Sequence, residues 1–174
     1  MEKTVYLSLG SNIGDREKNL RAAIAKLSEL GEIAAISSFY ETEPVDFTAQ
    51  PWFLNCAVSI RTKLMPEPFL SKIQMFEQQL GRRRIRPKGP RNIDIDILLF
   101  DDSVISTPEL QIPHPAMHER RFVLEPLAEI APEVQHPVLK KTVRELLQTL
   151  PRDTGQVKKA SNVKRGAPGS PSFG

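Results

Sequence analysis

The hydrophobic pattern changes its period twice near the start of the chain. Residues 4–10, TVYLSLG, alternate apolar and polar positions and are rich in strand-forming residues, which predicts a first strand. After the turn SNIGD, apolar residues recur three and four positions apart, which predicts a helix. Asp15 can cap this helix, and Gly31 would end it. The apolar positions of the helix are Leu20, Ile24 and Leu27.

Two more strands and a second helix follow in the pattern. Segment 32–44 predicts a second strand that stops at Pro44, and segment 52–62 predicts a third strand. Pro66 begins a second helix that stops at Gly81. One face of that helix is apolar, and it consists of Phe69, Ile73, Phe76 and Leu80.

The rest of the chain is less regular. Residues 82–92 lack periodicity and predict a loop, whereas residues 93–100, IDIDILLF, predict a fourth strand with a short return after it. Segments 121–132 and 142–150 predict short helices. The resulting order, βαββαβ followed by helices, indicates an α+β fold. We expect a ferredoxin-like core, with a mainly antiparallel sheet, helices packed on it and extra C-terminal helices.

Composition divides the chain of 174 residues at about residue 150. Residues 1–150 are predicted to form a single domain, and residues 151–174, which are basic and rich in Gly, Pro and Ser, a disordered tail. No signal peptide and no apolar run of membrane-spanning length is recognisable. Cys56, the only cysteine, lies in an apolar run and is predicted to be buried. These features predict a cytoplasmic protein without membrane association.

Two carboxylates interrupt the apolar pattern of GPRNIDIDILLF, residues 89–100. Alternate side chains of a strand share a face, so Asp94 and Asp96 should point the same way. A divalent cation such as Mg²⁺ would remove the repulsion between them. On spacing alone, a solvated face of an amphipathic strand is the favoured alternative. The side chains expected to point into the core are Ile93, Ile95 and Ile97.

Cationic residues precede this acidic pair in the sequence, and they favour a metal site over a solvated face. The net charge of the whole chain is only +3, but segment 82–91 concentrates Arg82, Arg83, Arg84, Arg86, Lys88 and Arg91. Arginines beside metal-binding carboxylates predict a polyphosphate site and phosphoryl or pyrophosphoryl transfer. No Walker or kinase-type glycine loop is present. In IPHPAMHERRF, His114 could donate to a phosphate, and Phe122 could either stack on a flat ring or belong to the core.

The sequence resembles the 6-hydroxymethyl-7,8-dihydropterin pyrophosphokinase family of folate biosynthesis from about residue 4 to residue 150. Five blocks in the same order carry the resemblance: LSLGSNIGD, SSFYETEP, QPWFLNCAV, GPRNIDIDILLF and IPHPAMHERRFVLEPLAEIAP. It implies transfer of pyrophosphate from ATP to 6-hydroxymethyl-7,8-dihydropterin, with release of AMP. It also implies two Mg²⁺ ions that enter with ATP and are held by Asp94 and Asp96.

The resemblance also assigns side chains to each substrate. The implied catalytic residues are Arg84, Arg91, Asp94 and Asp96. The implied ATP-binding residues are Gln74, Glu77, Arg84, Arg91, His114 and Arg120. The implied pterin-binding residues are Thr42, Val45, Phe53, Asn55 and Phe122. The physical interpretation agrees, because a pterin needs aromatic walls and an amide that both donates and accepts.

The chain departs from the family pattern just before the acidic strand and again after it. Pro87 and Lys88 stand where a basic residue and an aromatic residue are common, and Arg86 is a candidate replacement. Glu109 and Gln111 stand where some members have Arg and Thr. Loops 44–50 and 82–90 are expected to close over the substrates.

Assembly and rival functions complete the expectations. We expect a monomer, with contact to other folate-pathway enzymes as an open option and without nucleic acid as a partner. The rivals are an RNA-binding ferredoxin-like module and a Mg²⁺-dependent nuclease. Aromatic residues make up only 6% of the chain, and the acidic pair would repel phosphates without a metal, which disfavours the RNA-binding module.

Overall fold

The structure is a computed structural model that describes residues 1–44, 51–81, 92–151 and 156–160. The strands are β1 Lys3–Ser11, β2 Gly31–Ile36, β3 Tyr40–Thr42, β4 Phe53–Thr62, β5 Asp94–Phe100, β6 Ile105–Ser106, β7 Gln111–Ile112 and β8 Val157–Lys159. The helices are α1 Arg16–Leu27, α2 Pro66–Gln79, α3 Arg121–Ile130 and α4 Val143–Gln148, with a 3-10 turn at Met117–Glu119.

The strands form a six-stranded sheet in the order β5-β1-β4-β3-β8, in which β2 also pairs with β4. Each pairing in this sheet is antiparallel. If β2 and β3 are taken as one interrupted strand, the core follows the predicted βαββαβ order. The predicted α+β class is therefore confirmed, with the antiparallel sheet and the extra C-terminal helices. Strands β6 and β7 form a separate small hairpin.

Helices cover both faces of the sheet. Helices α1 and α2 pack on one face and bury its aliphatic side chains, and α3 and α4 pack on the opposite face. The predicted inner faces of the first two helices are confirmed, apart from Leu80, which is only partly buried. The Asp15 side chain caps α1 by accepting from the Lys18 N–H at 3.1 Å, as predicted. Among the described residues, no helix is long and apolar enough to cross a bilayer.

The predicted second strand is wrong in its continuity, because it is split into β2 and β3. Serines at the break replace the regular ladder with side-chain hydrogen bonds. The Ser37 hydroxyl accepts from the Ala57 N–H at 2.8 Å. The Ser38 N–H and hydroxyl both donate to the Glu129 carboxylate of α3. These hydrogen bonds interrupt the strand between β2 and β3, and β3 contains Thr42, one of the implied pterin-binding residues.

The predicted stop of the first helix at Gly31 is also wrong. Helix α1 ends at Leu27, and Gly31 instead begins β2. A Cβ atom at Gly31 would collide with the Arg61 carbonyl oxygen of β4, so this position requires a glycine for close approach. Gly81 does follow α2 as predicted, with a positive φ of 80°.

The predicted tail contains a strand. Residues Val157–Lys159 form β8 and pair with Tyr40–Thr42 of β3 at the edge of the sheet. The backbone of β3 offers hydrogen bonds to any strand of suitable direction, so a polar and basic segment can be ordered without a hydrophobic face. Residues 152–155 and 161–174 of the predicted tail lie outside the described residues, and the division at residue 150 stays a prediction.

Candidate functional site

The strand register brings the predicted side chains to one face of the sheet. Asp94 of β5 is paired with Gly10 of β1, and Gly10 is paired with Asn55 of β4. Directly paired residues of neighbouring strands point to the same face. Strands lie about 4.8 Å apart, so the Asp94 and Asn55 backbones are about 10 Å apart with one strand between them. The acidic pair and the amide therefore face one shared space.

The acidic pair has the predicted alternation. Asp94 and Asp96 are half-buried, whereas Ile93, Ile95 and Ile97 are each less than 7% exposed. Between the two aspartates, the Ile95 N–H points to the outer edge of β5, where it donates to the buried Glu77 carboxylate at 2.7 Å. Glu77 comes from α2, so it fixes the strand segment that carries both aspartates.

Asn55 is held from two sides inside the protein. Its Nδ2 donates to the Leu9 carbonyl oxygen at 3.2 Å, and its Oδ1 accepts a hydrogen bond from the Thr42 hydroxyl. A side-chain amide has two N–H groups and two oxygen lone pairs, so within the described residues one donor and one acceptor are left for a ligand. Thr42 and Asn55 are both buried. The arrangement presents a fixed hydrogen-bonding edge of the kind a pterin requires.

Gly10 forms the floor between Asp94 and Asn55, and no sequence signal assigned it a role. A Cβ atom there would lie 2.6 Å from Asn55 Nδ2 and 3.4 Å from the Phe53 ring. The glycine thus leaves space for a ligand that touches both the amide and the acidic pair. The signal available in the sequence was that the alternating segment TVYLSLG ends in a glycine, which has no side chain.

Phe53 borders this space, and Phe122 packs against the apolar residues beneath α3. Phe53 begins β4 and pairs with Thr42, while Phe122 lies in the first turn of α3, and both are half-buried. The guanidinium carbon of Arg120 lies 5.5 Å from the centre of the Phe122 ring. This cation–π contact links a residue predicted for ATP to one predicted for the pterin. One residue predicted for each substrate therefore lies at the start of α3.

His114 is half-buried and fixed by the backbone around it. Its backbone N–H donates to the Leu98 carbonyl oxygen of β5 at 3.0 Å, and its ring Nδ1 accepts from the Ala116 backbone N–H at 3.1 Å. Burial lowers the pKa of His114; nearby Arg120 lowers it further, and Asp94 opposes the shift. The imidazole therefore favours the neutral state with its proton on Nε2, which can donate to an anion.

Gln74 and Glu77 of α2, both implied ATP-binding residues, do not share an environment. Gln74 is exposed, whereas Glu77 is buried against β5. Val45, Arg84 and Arg91 lie outside the described residues, as do the departures at 86–88, so their roles stay predictions.

The acidic pair fits a hard cation. Within the described ranges, no group of three or more His, Cys, Asp or Glu side chains is arranged to hold a metal by itself. Mg²⁺ normally takes one or two carboxylates and completes its shell with water and substrate phosphates. Two half-buried carboxylates on one face match that requirement, so they fit a metal that arrives with a polyphosphate.

Comparisons with known proteins identify the family of this chain. Residues 6–132 match the family model described as 7,8-dihydro-6-hydroxymethylpterin-pyrophosphokinase (HPPK). The chain is 46% identical over 142 residues to 2-amino-4-hydroxy-6-hydroxymethyldihydropteridine pyrophosphokinase of Aquifex aeolicus, covering 82% of this chain and 89% of that one. It is 49% identical over 137 residues to the Bacillus subtilis protein of the same name, covering 78% and 82%.

Solved structures share the fold at lower identity. The chain superposes on wild-type HPPK-DHPS of Plasmodium falciparum, crystallised with pteroate, with a TM-score of 0.70 and 20% identity. The match covers 85% of this chain and 42% of that longer chain. This likeness shows the α+β fold, and the family rests on the sequence matches.

Proposed function

The chain belongs to the 7,8-dihydro-6-hydroxymethylpterin-pyrophosphokinase family, and we propose that the shared face around Gly10 is its active site. It is an ATP-dependent diphosphotransferase of folate biosynthesis. It transfers pyrophosphate from ATP to 6-hydroxymethyl-7,8-dihydropterin and so forms the pterin diphosphate and AMP. The RNA-binding and nuclease alternatives receive no support.

The pterin half of the proposed site lies on β3, β4 and α3. Asn55 binds the hydrogen-bonding edge of the pterin with its remaining donor and acceptor, and Thr42 holds the amide in place. Phe53 and Phe122 provide the aromatic walls. The support is that Thr42, Phe53 and Asn55 share a face and that the amide is already oriented by two internal hydrogen bonds. Val45 is proposed to complete this half.

The nucleotide half of the proposed site lies on β5 and the segment that follows it. Asp94 and Asp96 would hold two Mg²⁺ ions, and His114 and Arg120 would donate to the polyphosphate. When bound, magnesium supplies positive charge to the phosphate oxygens and lowers the pKa of a coordinated hydroxyl. Gln74, Glu77, Arg84 and Arg91 are proposed to complete this half, and Glu77 supports it through the Ile95 N–H.

The chain's own residues contribute positioning and charge. Fixing the pterin edge at Asn55 and the polyphosphate at Asp94 confines the two reactants to strands that only β1 separates, which reduces the entropic cost of their meeting. The neutral His114 can donate from Nε2 without carrying a charge of its own, and Arg120 balances developing negative charge. Arg84 and Arg91 would add further positive charge. Closure of segments 44–50 and 82–90 over the substrates is part of this proposal.

The assembly and location follow as further proposals. The substrates of the enzyme are small molecules. We propose a cytoplasmic monomer that can also contact other folate-pathway enzymes. The relative named folic acid synthesis protein fol1 of Schizosaccharomyces pombe is far longer, since the chain covers 21% of it at 41% identity.

The single observation that carries the proposed site is the row Asp94–Gly10–Asn55 across three strands. The test is an AMP-release assay with ATP, Mg²⁺ and 6-hydroxymethyl-7,8-dihydropterin. We expect pterin-dependent release of AMP from the wild-type protein. Asp96→Ala should lower kcat about 1000-fold, because a metal ligand supplies several kcal/mol of transition-state stabilisation.

Asp102→Ala is the matched control, since Asp102 is exposed in the turn after β5. It should retain wild-type kcat, and both variants should keep the melting temperature of the wild type within a few degrees. A wild-type kcat in Asp96→Ala, or no AMP above background from the unaltered protein, would contradict the proposed site.

A further inference from the structure

We propose that Arg16 and strand β8 position the pterin slot, which consists of Thr42, Phe53 and Asn55, and that they affect pterin binding rather than ATP binding. This inference rests on the proposed function, because it takes Thr42, Phe53 and Asn55 as the pterin site. The evidence is a set of contacts on both sides of segment 45–50, whose two flanks carry Thr42 and Phe53 respectively.

Arg16 joins the two flanks with one side chain. Both terminal nitrogens of its guanidinium donate to the Glu41 carboxylate at 2.8 Å, and Nη1 also donates to the Trp52 carbonyl oxygen at 3.1 Å. Glu41 directly precedes Thr42, and Trp52 directly precedes Phe53. Thr42 and Phe53 are paired on the neighbouring strands β3 and β4. Arg16 therefore holds the residues that directly precede both members of this pair. A planar fork of donors is required for this, and lysine lacks one.

Strand β8 holds the same two flanks from the sheet edge. The Glu43 N–H donates to the Gln156 carbonyl oxygen at 3.0 Å, and the Gln156 N–H donates to the Glu43 carboxylate at 3.0 Å. The Lys158 ammonium lies 5.8 Å from the centre of the Trp52 ring. A strand from the polar C-terminal region therefore contacts the chain on both sides of segment 45–50.

Asn12 adds a third contact to the second flank. It is 1% exposed, and its Nδ2 donates to the Pro51 carbonyl oxygen at 3.0 Å. The second flank is thus held at two consecutive carbonyl groups, those of Pro51 and Trp52. These hydrogen bonds would hold the Phe53 ring at a constant distance from the Asn55 amide, as a wall of the pterin slot requires.

The location of these contacts predicts a selective effect. A shift of Thr42 would release the Asn55 amide from its hydrogen bond and lose the fixed edge for the pterin. The proposed metal ligands lie on β5, at the opposite end of the sheet from β8. Loosening the flanks should therefore raise KM for the pterin and leave KM for ATP unchanged.

The first test replaces Arg16 by lysine, which keeps the charge and loses the fork. We expect KM for the pterin to rise about tenfold, as for the loss of charge-assisted hydrogen bonds, with KM for ATP unchanged. Arg21→Lys is the matched control. Arg21 lies on the same helix with the same exposed side-chain fraction, 29%, but its ion pair is to Glu17 within α1, and its guanidinium carbon lies 5.7 Å from the centre of the Phe39 ring. The control should keep both KM values.

The second test uses the register of β8. Hydrogen bonds of an antiparallel pair alternate, and those from Glu43 to Gln156 and from Ala160 to Phe39 place Glu41 and Lys158 in a hydrogen-bonded pair. Lys158→Pro removes the N–H that faces β3 and also the ammonium over Trp52. Lys159→Pro removes an N–H that faces away from β3. We expect only the first variant to raise KM for the pterin, by several-fold.

The outcomes separate this inference from the proposed function. Wild-type protein without pterin-dependent AMP release would overturn the function and the inference together. An active wild type with an unchanged pterin KM in Arg16→Lys and Lys158→Pro would overturn the inference alone. Equal changes of both KM values, or equal effects in the control variants, would show only a general structural role and also overturn it.

Discussion

The two faces of the sheet are built from the same strands but have opposite chemistry. On the face toward α1 and α2, β1, β4 and β5 present a continuous set of buried apolar side chains. On the face toward α3 and α4, the same strands present apolar residues such as Ala57 and Leu98 in one part and Asn55, Gly10 and the acidic pair in another. The strand alternation thus separates stability from binding. A continuous core on one face allows the other face to expose polar groups to a ligand.

The largest expected effect on stability is on the apolar face, in a residue next to the acidic pair. Ile97 is 6% exposed and lies in the core beside α1 and α2. Ile97→Ala should lower the free energy of unfolding by about 3 kcal/mol, since it removes buried methyl groups and leaves a cavity. Both KM values should remain within about twofold at temperatures where the variant is folded.

Urea denaturation and the AMP-release assay measure the two properties separately. Ile97→Val is the graded control and should cost about 1 kcal/mol. If Ile97→Ala changed KM for either substrate tenfold without loss of stability, the separation of the two faces would be wrong.

An intermediate effect is expected at Gly10, on the functional face. Gly10→Ala places a Cβ atom 2.6 Å from Asn55 Nδ2, so the amide must move away from its present position. We expect the Kd for the pterin to rise about tenfold, which corresponds to the loss of a typical hydrogen bond. Calorimetric titration of the pterin in the presence of an ATP analogue measures this effect directly.

Gly14→Ala is a contrasting variant at a second glycine of the same motif. Its φ is 73°, so alanine there strains the turn, but the side chain nearest to the added Cβ atom is Asn19 rather than a slot residue. It should lower stability without changing pterin affinity. Equal pterin affinities in wild type and Gly10→Ala would remove Gly10 from the site.

The smallest expected effect is a pH dependence of stability at His136. Burial lowers the pKa of His136, and neighbouring His118, whose ring lies 6.3 Å away, lowers it further. The native state then binds fewer protons than the unfolded state between the lowered pKa and the ordinary value of 6.5. Stability is therefore fully present above about pH 6.5 and falls as the pH drops toward the lowered value.

Urea midpoints measured between pH 5 and pH 8 test this sign. The lowered pKa of His114 contributes in the same direction, so the comparison uses His136→Asn against the wild type. We expect the variant to lose part of the acid-side slope. An identical slope in the two proteins would show that His136 does not contribute.

Local patterns predicted the helices and strands well where a segment had a single hydrophobic period. The inner faces of α1 and α2, the Asp15 cap, and the alternation of Ile93, Ile95 and Ile97 all follow from spacing within one element. The break at Ser37 was missed, because its cause is hydrogen bonding to β4 and to Glu129 of α3. Strand β8 was missed because its order comes from pairing with β3 and not from its own composition.

The candidate site shows the same division. The acidic pair and its orientation were readable from one strand, and the resemblance supplied the other candidate residues. The separate environments of Gln74 and Glu77 were not readable, since one position is exposed and the other is buried against the Ile95 N–H. The contacts of Arg16 were also hidden, because Glu41 and Trp52 are distant from it in sequence.

The sequence by itself determined the α+β class, the faces of the main helices and the paired carboxylates, because each depends on periodicity within a few neighbouring residues. Only the tertiary structure decided that Gly10 lies between Asp94 and Asn55 and that Thr42 orients the amide. Those relations depend on the register between strands far apart in the chain. Register is fixed by the packing of whole faces and by the turns between strands, so no single segment encodes it.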